Sequence, residues 1–190
     1  MLNKSHNDIL YIHDYYPQKY KEHKGISIEI LNFKNGDIKA VERFGKELKK
    51  EIESLLSLYR DETKFSNIVM TIMPSHSANR WGTSLEQVSH LLAKGFGMTD
   101  DTRLLIRHTD HEKLTQGGDR SVESHLKTVK IDPHYCIKGK TVIVLDDVTT
   151  SGNSLKAATT ILTQNGARKV YPIAIAQTKS GTEKWIAFES

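Results

Sequence analysis

The chain has 190 residues, of which 37% are hydrophobic and 26% are charged, a composition that is typical of globular domains and excludes an intrinsically disordered chain. Its net charge of +4 is compatible with nucleic acid but equally with a small polyanionic ligand, because basic and acidic residues are interleaved. A single cysteine excludes an internal disulfide, and short apolar stretches exclude a membrane span, so we expect one cytoplasmic domain that makes no membrane contact.

The N-terminal part is expected to contain a strand and a long helix. Isoleucines alternate with polar residues at the start of 26–33, which predicts a half-buried strand there, and the apolar segment 9–12 is expected to pair with it. After a turn at 34–37, apolar residues recur at steps of three and four from Ile38 to Tyr59. That spacing gives one apolar stripe and predicts a long amphipathic helix.

A strand, a loop and a second helix are expected next. The apolar run at 67–73 predicts a buried strand that ends at Pro74, and the polar segment beyond it is typical of a loop. Thr83 and Glu86 have the spacing of a capping box. We therefore expect the following helix to begin there and to end at Gly97.

The middle of the chain is expected to form a mobile lid. Residues 103–106 predict a short strand, after which the segment 107–128 is polar, charged and interrupted by Gly117 and Gly118. One short helix is expected within it, at about 121–127. A hinged polar segment of this kind is suited to closing over a bound ligand.

The C-terminal half predicts a strand, a helix and another strand. Residues 141–145 form a β-branched run that is typical of a central strand buried on both faces. A helical pattern follows and ends at Asn165 and Gly166. The segment 169–176 then predicts the next strand.

This alternation of elements predicts the α/β class, with an open, mainly parallel twisted sheet flanked by helices. The chain has neither an internal repeat nor a linker. We therefore expect a single domain over 1–190, with its core at about 26–176 and a small hood formed by 1–25 and 177–190.

The segment 145–154 places two acids and a hydroxyl-rich turn directly after the predicted central strand. Ligands of open parallel sheets bind beyond the carboxyl ends of the strands, where this segment lies. The backbone N–H groups at the start of the next helix, together with the hydroxyls of Thr150, Ser151 and Ser154, suit a phosphate group. The alternative is that one of these hydroxyls only caps the helix.

The same residues exclude two other kinds of phosphate site. A Walker-type loop needs a lysine directly after its last glycine, and no lysine follows Gly152 until Lys156. The dinucleotide fingerprint needs three glycines, and this turn has one. Asp146 and Asp147 suit ribose hydroxyls or a hydrated Mg²⁺ ion, so a sugar phosphate fits the segment.

The run from Val142 to Ser154 resembles the phosphoribosyl diphosphate (PRPP) signature of the type I phosphoribosyltransferases. In that family a hydrophobic strand leads into two acids and then into a loop rich in threonine, serine and glycine. The resemblance implies that Asp146 and Asp147 lie beside the ribose hydroxyls, act in catalysis and hold Mg²⁺ through water. It also implies that the 5′-phosphate is bound by Thr149, Thr150, Ser151, Gly152, Asn153 and Ser154.

Two further segments resemble the ComF-like branch of the same family. Residues 73–93 are similar to its diphosphate loop and the helix that follows, and residues 106–126 are similar to its flexible loop. The resemblance implies that diphosphate is bound by Ser75, His76, Ser77, Arg80, Arg107, Lys113 and Arg120. It also implies a homodimer.

The activity implied by this resemblance is transfer of the phosphoribosyl group from PRPP, with Mg²⁺, to an unidentified nitrogenous base, with release of diphosphate. The alternative is a non-catalytic protein, regulatory or associated with DNA uptake, that senses PRPP, ribose 5-phosphate or a nucleotide. The acceptor is expected to contact the hood, where Trp185 and Phe188 could stack on a ring or only cover the core.

The sequence "HTDHE" leaves a metal site open as another alternative. His108, Asp110, His111 and Glu112 are residue types that bind zinc or manganese, although a further distant ligand would be needed. The simpler interpretation is a solvated tip of the lid.

Overall fold

The structure is a computed structural model that describes residues 2–5, 8–57, 65–109 and 121–182. The described residues form eight β-strands: β1 (Asn3–Lys4), β2 (Leu10–Tyr15), β3 (Ile68–Ile72), β4 (Thr99–Asp100), β5 (Leu105–Arg107), β6 (Val129–Ile131), β7 (Thr141–Thr149) and β8 (Lys169–Thr178). They also form five α-helices: α1 (Ile26–Lys34), α2 (Ile38–Ser57), α3 (Thr83–Phe96), α4 (Val122–Thr128) and α5 (Asn153–Gln164). Strands and helices thus alternate along most of the chain.

The main sheet has six strands in the order β1-β2-β8-β7-β3-β4. Neighbouring strands pair in parallel, except that β1 lies antiparallel to β2 at one edge. Strand β7 lies between β3 and β8, with Leu145 opposite both Ile72 and Ile173. The predicted α/β class with an open, mainly parallel sheet is therefore confirmed.

Helices cover both faces of this sheet. Alternate residues of β7 point to opposite sides and pack against these helices. Ile143 and Leu145 pack into a core with α1, α2 and α3, whereas Val142 and Val144 pack into a second core with α5. All four side chains are buried, and each such burial contributes about 1.5–3 kcal/mol. A strand that is covered on both faces needs a continuous apolar sequence, as this one has.

The segment 26–33 is helical, so the strand predicted there is wrong. Ile26, Ile30 and Phe33 recur at helical steps; Ile30 and Phe33 are buried, whereas Ile28 is 47% exposed. The short alternation fits a strand and a helix equally well. Packing of the buried face against α2 and α3 decides in favour of the helix.

The segment 9–12 lies in a strand, but that strand, β2, pairs with β8 and not with 26–33. The described part of 1–25, predicted as a hood, therefore supplies β1 and β2 to the main sheet. Strand β8 extends to Thr178, past the predicted core boundary. The single domain over 1–190 stays a prediction.

The other helices lie where the sequence predicts them. Helix α2 begins at Ile38, and the left-handed residue Gly97, with φ 67°, follows α3. The predicted capping box is wrong, because Gly82 is the N-cap of α3 and makes no side-chain cap. Glu86 instead accepts a hydrogen bond of 2.5 Å from Arg103 Nε.

Only part of the predicted lid is described. The strand predicted at 103–106 is found as β5, which pairs antiparallel with β6. The short helix predicted at about 121–127 is found as α4, and Ser121 caps it by accepting a hydrogen bond of 3.1 Å from Ser124 N. The segment 110–120, with the predicted glycine hinge, lies outside the described residues.

Two further predictions concern the hood and the membrane. Trp185 and Phe188 of the predicted C-terminal hood lie outside the described residues. In the part of the chain that is described, no helix is both long and apolar enough to cross a membrane.

Candidate ligand-binding site

A cavity of about 580 Å³ opens at the carboxyl ends of β3 and β7. Strand β7 brings Asp146 and Asp147 to this cavity, and the turn 150–152 then leads into α5. The predicted phosphate-binding residues all line the cavity: Thr149, Thr150, Ser151, Gly152, Asn153 and Ser154. The fold therefore brings the acids and the turn to one volume.

Gly152 makes the turn from β7 into α5. It is the N-cap residue of α5, with φ 79° and ψ 1°, in the left-handed region that favours glycine. Lys156 N donates a hydrogen bond of 2.9 Å to Gly152 O at the start of the helix. The N–H groups of a first helical turn lie outside the helical hydrogen-bond ladder, so this end of α5 is suited to an anion.

Thr149 lines the cavity and has a buried, unsatisfied hydroxyl. The residue is 1% exposed, and its Oγ1 has no hydrogen-bond partner among the described residues. Leaving a buried hydroxyl unpaired costs about 1–3 kcal/mol, so such a group is expected to meet a ligand or water. A ligand oxygen in the cavity would remove that cost.

Side chains of β8 hold the turn in place. Gln177 Nε2 donates a hydrogen bond of 2.5 Å to Thr150 O. The hydroxyls of Thr150 and Thr178 are also hydrogen-bonded, at 3.0 Å. These contacts involve the protein alone, so the turn is organised before a ligand binds, which lowers the cost of binding.

The two acids accept hydrogen bonds from their surroundings. Asp146 Oδ1 accepts one of 2.9 Å from Asp147 N, and Asp146 Oδ2 accepts one of 3.2 Å from Ser154 Oγ. Asp147 Oδ1 accepts a hydrogen bond of 2.5 Å from Val148 N. The same oxygen lies 3.1 Å from Nζ of Lys34, so the second acid has a cationic partner within the protein.

The pKa of Asp146 is raised from its ordinary value of 3.8 to about 7. Burial of the carboxyl group is the largest cause, and repulsion by the charge of Asp147 adds to it. The positive charge of Lys34 and the hydrogen bonds from Asp147 and Ser154 oppose the rise. Asp146 can therefore gain or lose its proton near neutral pH.

Arg107 is a fixed cation in the wall of the cavity, although the sequence predicts it within a mobile lid. It ends β5 and is 2% exposed. Its Nε donates a hydrogen bond of 2.7 Å to Ser75 O, and its Nη1 donates one of 2.6 Å to Thr128 Oγ1. Burial lowers the pKa of Arg107, and the charge of Asp146 opposes this. Among the described residues no carboxylate forms an ion pair with Arg107, so its guanidinium can receive an anion.

The loop after β3 brings two of its four predicted residues to the cavity. Ser75 and His76 line the cavity, whereas Ser77 and Arg80, which are also described, lie outside its wall. Ser75 N donates a hydrogen bond of 2.8 Å to Arg80 O, so this N–H group is already used within the loop. The Arg80 residue itself is exposed.

Two polar residues of the wall, Lys34 and His125, are not predicted by the sequence. They belong to α1 and α4, which are separated along the chain from the acids and the turn. Lys34 directly follows the segment 26–33, which the sequence predicts as a strand. In the structure this segment is a helix, and Lys34 is the basic residue of its last turn.

Some predicted site residues lie outside the described ranges: Lys113, Arg120, Asp110, His111 and Glu112. His108 is described and is exposed. Within the described ranges, no three side chains of His, Cys, Asp or Glu form a group that could hold a metal ion. The alternative metal site therefore stays a prediction.

Comparison with known proteins gives one family match and two structural likenesses. Residues 105–189 match the family model described as "Phosphoribosyl transferase domain". No curated protein matches the chain. A purine phosphoribosyltransferase from Pyrococcus horikoshii Ot3 is 12% identical over 94% of this chain and 100% of that chain, with a TM-score of 0.40. A hypoxanthine phosphoribosyltransferase from Staphylococcus aureus is 16% identical over 87% of this chain and 75% of that chain, with a TM-score of 0.39.

Both structural likenesses are distant, and the family model covers less than half of the chain. The matched segment contains β7, the turn and α5, and therefore both acids and the predicted phosphate-binding residues. The segment that matches the family model is thus the one that carries these residues of the cavity.

Proposed function

We propose that the chain is a phosphoribosyltransferase that uses PRPP and Mg²⁺, transfers the phosphoribosyl group to a nitrogenous base and releases diphosphate. The observation that carries this proposal is one cavity lined by an acid pair, a hydroxyl-rich turn into a helix and a buried arginine. These three features complement the ribose, the 5′-phosphate and the diphosphate of PRPP. The family match over 105–189 supports the same type of activity.

The 5′-phosphate is assigned to the turn and the helix start at 149–154. The dipole of α5 and the N–H groups of its first turn favour a dianion, and the left-handed Gly152 lets the backbone approach it closely. The buried Thr149 hydroxyl, which lacks a partner among the described residues, supports a ligand oxygen at this place.

Asp146 and Asp147 are assigned to the ribose hydroxyls and to Mg²⁺. Carboxylates accept hydrogen bonds from sugar hydroxyls and are oxygen ligands of the kind that Mg²⁺ prefers. The described part of the cavity wall contains two carboxylates, those of Asp146 and Asp147. Water and ligand oxygens would therefore complete the coordination shell of the metal. The donor set fits an ion that binds together with a phosphorylated ligand. When bound, Mg²⁺ would neutralise charge on the diphosphate.

Displacement of diphosphate passes through an oxocarbenium-like state, so the protein has to stabilise the leaving charge and hold the sugar in position. Arg107 is suited to the first task, because its guanidinium is desolvated and is oriented by Ser75 and Thr128. His76 lines the same cavity and is a further donor for the diphosphate. Lys113 and Arg120 stay predicted ligands of that group.

Incubation of the protein with PRPP, Mg²⁺ and a panel of purine and pyrimidine bases tests the proposal. Release of diphosphate that depends on one base supports it. The double variant Asp146→Asn/Asp147→Asn should lose about a hundredfold or more in turnover, since removing groups that act in the transition state has effects of this size. Glu42→Gln/Glu53→Gln removes the same charge from exposed positions of α2 and should retain activity. Binding of PRPP without turnover of any base would overturn the transferase and favour the alternative, a sensor.

Three finer predictions belong to this proposal. The ComF-like branch rests on the resemblance of 73–93 and 106–126 alone. A homodimer follows from the same resemblance, and sedimentation at several protein concentrations tests it. The expectation of a cytoplasmic location rests on the short apolar stretches of the sequence.

A further inference from the structure

Lys34 reaches the acid pair from a distant part of the chain. It is the last residue of α1 and lies in the wall of the cavity. Its Nζ lies 3.1 Å from Asp147 Oδ1, and the two side chains are 38% and 31% exposed. Among the described residues no other lysine or arginine forms an ion pair with either acid. Lys34 therefore has a specific electrostatic partner at the cavity, the carboxylate of Asp147.

This ion pair uses one of the carboxylate oxygens that a metal ion could bind. Asp147 Oδ1 forms an ion pair with the ammonium of Lys34 and accepts a hydrogen bond from the N–H of Val148. Asp146 accepts a hydrogen bond from the N–H of Asp147 on one oxygen and from the hydroxyl of Ser154 on the other. A divalent cation that approaches the pair meets several hydrogen-bond donors, and among these the ammonium of Lys34 carries a full charge of the same sign.

We propose that Lys34 is a built-in counter-ion of the acid pair, which competes with a divalent metal ion for Asp147 and lowers the metal affinity of the ligand-free protein. The inference rests on the proposed function, because that function assigns Mg²⁺ to the acids. Lys34 acts on the metal through Asp147 and is therefore a positioning residue. It neutralises Asp147 while no metal is bound, and its positive charge opposes a metal ion at this carboxylate.

Binding of Mn²⁺ to the ligand-free protein tests this proposal. Mn²⁺ takes oxygen ligands as Mg²⁺ does, and its free concentration can be read from its paramagnetic resonance signal. Lys34→Met removes the charge and keeps an unbranched apolar side chain. Lys94→Met is the matched control, because Lys94 is the basic residue in the last turn of α3, is exposed and lies outside the cavity wall.

We expect Lys34→Met to bind Mn²⁺ about fivefold more tightly than the wild type, the factor that corresponds to the loss of about 1 kcal/mol of competing ion pair. Lys94→Met should bind as the wild type does. In an Asp147→Asn background Lys34→Met should have no effect, because the carboxylate for which the two cations compete is absent. Circular dichroism of each variant checks that the fold is retained.

Three results would overturn the inference: equal affinities of Lys34→Met and Lys94→Met, an effect of Lys34→Met that persists with Asp147→Asn, or no Mn²⁺ binding by Lys34→Met. The turnover assay with PRPP separates this inference from the proposed function. If base-dependent diphosphate release occurs but Lys34→Met leaves the Mn²⁺ affinity unchanged, only the counter-ion is wrong. If Lys34→Met tightens Mn²⁺ binding but no base is converted, the counter-ion is supported and the transferase is wrong.

Discussion

Ser154 Oγ donates a hydrogen bond of 3.2 Å to Asp146 Oδ2, which joins the first turn of α5 to the acid pair. The acids and the phosphate turn therefore form one hydrogen-bonded unit. Because this unit is built on β7 and the helix that follows it, the fold sets the distance between the proposed sugar and phosphate subsites. A matching ligand has to carry hydroxyls and a phosphate at a similar separation, as ribose 5-phosphate does.

The raised pKa of Asp146 predicts a stability that depends on pH. Its pKa is 3.8 in an unperturbed carboxyl group and about 7 in the folded chain, so between these values the folded state holds a proton that the unfolded state has lost. The stability from this group is therefore full below its ordinary pKa and is lost as the pH rises through about 7. Asp146→Asn has no carboxyl group to titrate at this position. We therefore expect this variant to lack that part of the fall in stability with rising pH.

The measurement is urea unfolding of the wild type and Asp146→Asn between about pH 4 and pH 8. The free energy of unfolding of the wild type should fall by about 1–2 kcal/mol more than that of the variant, a value reduced for the partial exposure of the site. Glu53→Gln, exposed on α2, should follow the wild type. A gap between wild type and Asp146→Asn that stays constant with pH would contradict the raised pKa.

Substitution of Gly152 is expected to damage both the turn and the phosphate site. Gly152 has φ 79°, and a residue with a Cβ atom pays about 1–2 kcal/mol in this left-handed conformation. Gly152→Ala should therefore lower the free energy of unfolding by about that amount and weaken the binding of ribose 5-phosphate. Thermal unfolding and calorimetric titration measure the two effects.

Gly95 offers the matched control for this prediction. It lies within α3, and a Cβ atom added there would meet no atom within 4 Å. Gly95→Ala should therefore raise the free energy of unfolding by about 0.5–1 kcal/mol and leave phosphate binding unchanged. If Gly152→Ala behaved in the same way, the turn would not require its left-handed conformation.

Arg107→Lys should be a damaging substitution at the cavity. The guanidinium contacts Ser75 O and Thr128 Oγ1 through two different nitrogens, and an ammonium cannot reproduce both directions. We expect a loss of about 1–2 kcal/mol in the free energy of unfolding and about tenfold weaker binding of diphosphate with Mg²⁺. Arg103→Lys, on an exposed side chain outside the cavity wall, should leave diphosphate affinity unchanged. Equal diphosphate affinities of the wild type and Arg107→Lys would remove Arg107 from the site.

The sequence predicts the part of the site that is continuous along the chain. Strand, acids, turn and helix follow one another from Val142 onward, so a local pattern is sufficient to identify them. Lys34 and His125 reach the same cavity through the order of the elements in space. A local pattern contains no information on that order.

The errors in secondary structure have a common physical cause. The strand predicted at 26–33 and the capping box predicted at Thr83 both rest on short stretches of sequence, in which two structures fit equally well. Tertiary contacts then decide between them, through the buried face of α1 and through the bond from Arg103 to Glu86. Long elements with one consistent period, such as α2, are predicted correctly because each turn repeats the same preference.

Thr149→Val is expected to move stability and binding in opposite directions. The Thr149 hydroxyl is buried and has no partner among the described residues, so valine, which has a similar shape, removes an unpaired polar group. The ligand-free protein should gain about 1 kcal/mol in the free energy of unfolding, whereas ribose 5-phosphate should bind about fivefold more weakly. Thr71→Val is the matched control, because Thr71 is equally buried but donates a hydrogen bond of 3.2 Å to Thr102 O. That variant should lose about 0.5–1.5 kcal/mol of stability and keep its ligand affinity. If Thr149→Val lowers stability instead, the hydroxyl has a partner within the ligand-free protein, and the strongest local sign of a ligand oxygen at this turn is lost.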